Sequence, residues 1–185
     1  GVCGRPAANP KWPEVAVVLA LSGIPDIYRL GRQGVELLRL TATPRIDTSP
    51  CFSPDGERIA FVSDRSGSPQ VYVMRRDGGD VRRVSYLSSY ASSPAWSPDG
   101  ELLAFTVRRS GGTRIVLRNM ASGEIREVCP DGPFLEEPSW APDSRHLACS
   151  AVSGNHRTLC VVDTFTNEVR FPCSAGERFS PAWSP

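Results

Sequence analysis

An all-β propeller of four-stranded antiparallel blades is the fold that this sequence predicts, on three observations. Ser53-Pro54-Asp55-Gly56 recurs as Ser97-Pro98-Asp99-Gly100 and again as Ala141-Pro142-Asp143-Ser144, a period of 44 residues. β-rich apolar runs keep the same spacing, and small turn residues separate them. The 17 Pro and 16 Gly in 185 residues accompany no helical periodicity, so turns are frequent and helices are not expected.

Each repeat divides into four short strands, named A to D. Strand A carries an aromatic two places before the second Pro of the register: Phe52, Trp96 and Trp140, with Trp183 before Pro185 at the C-terminus. The Pro ends strand A, Asp bonds its own backbone, and Gly takes positive φ without a Cβ penalty in the tight A-to-B turn. Strand B holds Ile59-Ala60-Phe61, Leu103-Ala104-Phe105, Leu147-Ala148-Cys149 and, in the first repeat, Val15-Ala16-Val17. Ser66-Gly67, Ser110-Gly111, Gly154-Asn155 and Ser22-Gly23 then turn the chain into strand C, at Val71-Tyr72, Ile115-Val116, Leu159-Cys160 and Ile27-Tyr28. Strand D is expected over 36–41, 80–85, 124–129 and 168–173. The strand A aromatic fills the wedge between neighbouring twisted blades.

This division gives a single propeller domain over 1–185. Blade 1 covers about 12–48, blade 2 about 49–92, blade 3 about 93–136 and blade 4 about 137–178. The first repeat reads Ala8-Asn9-Pro10-Lys11-Trp12 where the motif predicts aromatic-Ser-Pro-Asp-Gly, so its own strand A is weak. Phe179 to Pro185 is a strand A with no strands B to D behind it. A four-bladed ring closed by 179–185 pairing with the first blade satisfies both edges. The alternative is a fragment of a larger propeller, with 5–10 as a diverged strand A.

The unit Ser-Pro-Ala-Trp-Ser-Pro-Asp-Gly-Glu-Leu-Leu-Ala-Phe at 93–105, the run Gln-Val-Tyr-Val-Met at 70–74 and the Asp77-Gly78-Gly79 turn resemble the propeller repeats of the TolB family. The ending Ser-Pro-Ala-Trp-Ser-Pro is similar to that family's C-terminus. The resemblance implies a non-enzymatic protein-interaction propeller of the bacterial periplasm, acting in envelope integrity by binding a Pal-like lipoprotein. The family's propeller has six blades, where four repeats are present here. Tricorn-type proteases and prolyl oligopeptidases carry similar repeats, so an accessory propeller of such a hydrolase is the alternative function.

If the resemblance extends to partner binding, the D-to-A loops form the receiving surface: 43–48, 86–92, 130–137 and 174–179. The candidate contact residues are Ile46, Thr48, Tyr90, Ser92, Phe134, Glu136 and Phe179, with Tyr90 and Phe134 foremost because irregular segments free apolar groups from strand packing. The alternative is that these aromatics fold back as local plugs over the blade ends.

With 21 Lys+Arg against 20 Asp+Glu, the net charge of +1 gives no electrostatic reason to expect nucleic acid or an anionic membrane as partner. The longest apolar run, 15–21, is too short to span a bilayer. No cofactor or metal site is expected. The two histidines, His146 and His156, sit at the start of strand B and in the B-to-C turn of one repeat, and read as solvated surface groups. Gly-x-Ser-x-Gly, His-Glu-x-x-His and phosphate-binding Gly-Lys-Ser/Thr patterns do not occur. Asp55, Asp99 and Asp143 recur with the period, which makes them turn formers and not a catalytic pair. A propeller enzyme with a channel site would need convergent His or carboxylates on strand A, which carries Ala, Cys, Trp and Ser.

None of the six cysteines forms a Cys-x-x-Cys pair. Cys149 and Cys160 are symmetric about the Gly154-Asn155 turn and read as two small buried hydrophobes in the places of Phe61 and Tyr72, with a cross-strand disulfide as the alternative. Cys129 and Cys173 take the place that Thr41 and Ser85 hold in the other repeats. Gly1-Val2 before Cys3 is a poor match to a lipid-attachment signal.

Overall fold

A computed structural model describes residues 5–172 apart from 32, 33 and 35. Among the described residues there are sixteen strands and no helix, arranged as four four-stranded sheets. The first holds β1 (Ala7–Ala8), β2 (Val15–Leu19), β3 (Asp26–Leu30) and β4 (Leu37–Arg39). The second holds β5 (Asp47–Phe52), β6 (Arg58–Ser63), β7 (Gln70–Arg75) and β8 (Arg82–Arg83). The third holds β9 (Ala91–Trp96), β10 (Leu102–Arg109), β11 (Gly112–Asn119) and β12 (Ile125–Glu127). The fourth holds β13 (Phe134–Trp140), β14 (His146–Ser153), β15 (His156–Asp163) and β16 (Val169–Arg170). In every sheet the spatial order follows the chain order, as sequential antiparallel hairpins require.

The chain divides into two compact units, residues 1–94 and 95–185. In the first, Phe52 on β5 packs with Ile59, Phe61 and Tyr72 against Ala16 and Ile27 of the preceding sheet. In the second, Leu135, Trp140, Leu147 and Cys149 pack against Ala104 and Ile115, and the Trp140 indole N–H donates to the Ala95 carbonyl at 3.1 Å. Phe52 and Trp140 thus bury themselves against the preceding blade of their unit, as the repeat required.

The A-to-B turn forms as its chemistry dictates. Asp55 accepts the Glu57 N–H at 3.0 Å, the Ser53 hydroxyl accepts the Arg58 N–H at 2.9 Å, and Gly56 takes φ 72°. The same bond closes the turn in all four repeats: Ser53 N–H to Arg58 O, Ser97 N–H to Leu102 O, Ala141 N–H to His146 O, and Asn9 N–H to Glu14 O, each at 2.8–2.9 Å. Asn9 therefore does for the first blade what Ser53 does for the second, its side-chain oxygen accepting the Lys11 N–H at 2.9 Å.

The first blade carries a strand A of only two residues, within the 5–10 stretch expected as a diverged strand A and as weak as its motif implies: β1 pairs with β2 through Ala7↔Ala16 and Ala8↔Val15. The segment 179–185, expected to fill that edge, lies outside the described residues. Trp12 replaces the missing aromatic from the other side of the turn. It lies against Gly56 under the Arg76 guanidinium, 4.2 Å from the ring centroid. Buried Glu14 holds Arg29 at 3.5 Å and Arg76 at 3.7 Å, and Asn9 donates to the Gly56 carbonyl at 3.1 Å.

Strand D is shorter than expected wherever it is described. Leu40 and Val84 still donate to the carbonyls of Ile27 and Val71, at 2.8 and 2.9 Å. The reciprocal donors do not return to the ladder: the Ile27 and Val71 N–H groups go to the hydroxyls of Thr41 and Ser85, both at 2.9 Å. A side-chain hydroxyl takes over a strand's hydrogen bond and ends the edge strand early.

Candidate functional site

Among the described residues, the first two D-to-A loops follow Thr41 and Ser85, whose hydroxyls take the N–H groups of strand C, and side chains below pin them. In the first loop the Ile46 N–H donates to Asp64 at 2.8 Å. Asp47, fully buried, takes two bonds from the Arg65 guanidinium at 3.1 and 3.2 Å. Arg65 lies over the rings of Phe61 and Tyr72, 5.2 and 4.9 Å from their centroids, so the ion pair rests on the aromatic core. Ile46 above it is 49% exposed, whereas Thr48 is half-buried on β5.

In the second loop the Gln70 amide donates to the Ser88 carbonyl at 3.0 Å, and Gln70 in turn accepts the Ser85 hydroxyl at 2.6 Å. Tyr86 is 63% exposed, with its hydroxyl donating to the Arg83 carbonyl at 2.9 Å and the Arg83 guanidinium 4.9 Å from its ring. Leu87 beside it is 43% exposed. Tyr90 and Ser92 are half-buried, and the Tyr90 N–H is held by the Ser88 hydroxyl at 3.2 Å. The exposed aromatic of this loop is therefore Tyr86. Its position next to Ser85, whose hydroxyl takes the Val71 N–H in place of a ladder bond, was the signal available in the sequence.

In the third loop, expected over 130–137, the irregular part is shorter because β13 already starts at Phe134. Phe134 is half-buried. Its ring covers the Gly111-Gly112 turn so closely that a Cβ on Gly112 would meet ring carbons at 2.5–2.7 Å, and Arg114 lies 4.4 Å from its centroid. Two consecutive glycines leave the space that the ring occupies. Glu136 is half-buried beside Arg157 at 2.5 Å. Phe179 and the fourth loop lie outside the described residues.

Thr48, Ser92 and Glu136 share one feature. The next residue in each case, Ser49, Ser93 or Glu137, has φ of 52–56°, and a Pro follows. Register shifts between Thr48 and Cys51 and between Glu136 and Ser139 mark bulges in strand A. Pro lacks the donor that a bulge leaves unpaired, so it is tolerated there.

The fold also gathers polar groups that the sequence left apart. His146 Nδ1 lies 2.6 Å from Asp143 and its Nε2 3.9 Å from Asp163, beside a cavity of about 270 Å³ lined by Val161, Glu168 and Arg170. Asp163 accepts from Arg145 and from the Phe165 and Thr166 N–H groups. The His146 backbone N–H and ring hold the Asp143 carboxyl down to about 2. These carboxylates are committed to turn donors, and no group of three or more metal-capable side chains occurs among the described residues. No helix there is long and apolar enough to cross a membrane.

Cys149 and Cys160 are direct partners across β14 and β15, both fully buried, in the places of the stacked Phe61–Tyr72 pair, whose centroids are 5.8 Å apart. Both are free thiols, as are Cys51 and Cys129. Cys129 substitutes its sulfur for the strand-ending hydroxyl and meets the Asn167 carbonyl at 3.2 Å.

The same sheet geometry occurs in known proteins. TolB from Acinetobacter baumannii superposes with a TM-score of 0.85 at 28% identity, covering 98% of this chain and 46% of that one. A protein of Agrobacterium tumefaciens described as a candidate TolB gives 0.80 at 18% identity, covering 92% of this chain and 65% of the other. A puromycin-hydrolyzing peptidase of Mycobacterium tuberculosis gives 0.73 at 15% identity, covering 92% of this chain and 28% of the peptidase, a likeness of fold alone. The chain thus spans less than two thirds of each of these proteins. No curated protein sequence matches it. The family model described as the TolB beta propeller domain matches residues 1–185, and the chain belongs to that family.

Proposed function

We propose that the chain is a non-enzymatic protein-interaction propeller of the bacterial periplasm that binds a Pal-like lipoprotein through its D-to-A loops. The observation that carries this reading is the exposure of Ile46, Tyr86 and Leu87 on loops that are fixed from beneath. A buried ion pair and a Gln70–Ser85 network hold these loops, so their apolar groups are presented at little ordering cost to a partner. Tyr86 in particular offers a ring and a polar tip at low conformational entropy, as interface anchors do. Membership of the TolB propeller family supports the partner class and the compartment.

The test is titration of the purified chain against the soluble domain of a Pal-like lipoprotein by calorimetry. Ile46→Asp and Tyr86→Ala should each weaken binding about tenfold or more, which corresponds to a loss of about 1.4 kcal/mol. Phe165→Ala, at an exposed C-to-D turn, should leave it unchanged. Undiminished affinity in both loop variants would reject the loops as the contact surface.

A further inference from the structure

We infer that Cys149 and Cys160 form a dithiol/disulfide redox site, a cross-strand staple in the fourth sheet that closes on reaction with a disulfide oxidant. Their sulfurs are 3.4 Å apart, and the two residues are direct partners in an eight-pair ladder from His146↔Asp163 to Ser153↔His156. Directly opposed residues in an antiparallel pair have Cα atoms about 4.5–5.5 Å apart, inside the usual span of a disulfide. Bond formation therefore asks the sulfurs to close by roughly 1.3 Å through side-chain rotation, with the strands already in place.

Among the described residues of the same unit, the one further cysteine, Cys129, does not share this setting. Cys129 belongs to the same apolar cluster, but its sulfur is turned to the Asn167 carbonyl at 3.2 Å, and burial pushes its thiol up to about 11. Either thiol can donate across the 3.4 Å gap between Cys149 and Cys160. The hydrogen bond between the two sulfurs raises Cys149 and lowers Cys160, so Cys160 is the sulfur that ionises first. The thiolate is the nucleophile in exchange.

The chemistry balances with a disulfide RSSR as oxidant, for which oxidised glutathione serves as probe. The Cys160 thiolate attacks one sulfur of RSSR, the R–S–S–R bond breaks, and RS⁻ leaves and takes a proton. Cys149 loses its proton to solvent and attacks the Cys160 sulfur of the mixed disulfide. The Cys149–Cys160 bond forms and the second RS⁻ leaves. Two thiols have been oxidised and one RSSR reduced to two RSH. Since both cysteines are fully buried, the oxidant reaches them while the sheet is assembling or during its local opening, and the closed staple then holds the β14–β15 hairpin.

The experiment uses the full 185-residue chain, refolded in buffers of oxidised and reduced glutathione, quenched with acid, denatured and alkylated, then digested and mapped by mass spectrometry. The expected result is a single disulfide joining the Cys149 and Cys160 peptides, an intact mass lower by about 2 Da before alkylation, and a melting temperature higher by roughly 5–10 °C than that of the reduced chain. Cys129→Ser should leave the linkage in place, and Cys149→Ser should abolish it. Six alkylated thiols under oxidising conditions, or a linkage that maps to another cysteine pair, would overturn the inference. The readout is independent of partner binding, so it stands or falls separately from the proposed function.

Discussion

Replacing Gly56 by Ala tests how the first blade is joined to the second. Gly56 sits at φ 72°, which an Ala adopts at a cost of about 1 kcal/mol. A Cβ there would also meet the Trp12 ring at 2.6 and 2.9 Å and collide with the Asn9 side-chain oxygen. Neither neighbour gives way freely. The Asn9 oxygen already accepts the Lys11 N–H, and Trp12 is covered by Arg76. Overpacking of this kind costs about 1–3 kcal/mol, for a total of roughly 2–4 kcal/mol. Gly67 is the control, because it has φ 96° with open space around its Cβ position. Gly67→Ala should therefore cost only the backbone part, about 1 kcal/mol. Urea unfolding of both variants should separate their midpoints at unchanged slope, and Trp12→Ala should recover at least about 1 kcal/mol of the Gly56→Ala loss in a double-mutant cycle. Equal destabilisation by the two substitutions, or strict additivity in the cycle, would refute the claim that Trp12 and Asn9 seal the first blade onto the second.

Three further outcomes follow from the same contacts. Phe134→Ala should lower stability by about 2 kcal/mol, since a half-buried ring and its guanidinium contact are lost over Gly112, and it should leave lipoprotein affinity unchanged; lost affinity at full stability would make it a contact residue instead. Arg65→Met strands the buried Asp47 carboxylate and should cost about 3 kcal/mol, with partial recovery when Asp47→Asn is added, measured by thermal melts of the three chains. Asp143 has its carboxyl lowered from 3.8 to about 2 in the folded chain, so its contribution is fully present above about pH 4 and is lost as pH falls through about 2. Asp143→Asn should therefore flatten the decline of the urea midpoint between pH 5 and pH 2, and parallel curves for the two chains would exclude that role.

The fold was legible because its repeat is written in local chemistry. A Pro, an Asp that accepts its neighbour's N–H, and a residue free to take positive φ specify one turn, and three such turns at one spacing, with strand runs that keep the same period through the first repeat, specify four hairpin sheets. Ser144 shows that the turn survives without Gly, with φ 56° held by the Asp143 side chain. The first repeat departs from the motif for a related reason. Asn9 performs the turn chemistry of Ser53 with a different side chain, and Trp12 supplies the aromatic from the far side of the turn, so a search for matching letters at matching positions finds neither.

The loops were less legible, since what decides exposure there is set across the sheet. Tyr86, Tyr90 and Phe134 are all aromatics near a strand end, and the one local mark that separates them is the Ser85 hydroxyl beside Tyr86. Phe134 is claimed by two glycines and an arginine 20 to 23 residues upstream, and Ile46 is lifted by an aspartate 18 residues downstream. Strand D is confined to Leu37–Arg39 and Arg82–Arg83 because the hydroxyls of Thr41 and Ser85 capture the N–H groups of Ile27 and Val71, and Tyr86 directly follows the capturing Ser85, two residues beyond the last ladder donor, Val84. A periodic hydroxyl thus has two consequences, the shortening of an edge strand and the release of the next residue to solvent. Where Cys129 replaces the hydroxyl, the sulfur turns to the Asn167 carbonyl and the Cys129 N–H to the Asn167 side chain, so the third loop starts from a different anchor than the first two. The loops of one propeller therefore differ in what they present because the residue that ends strand D differs, while the blades that carry them stay alike.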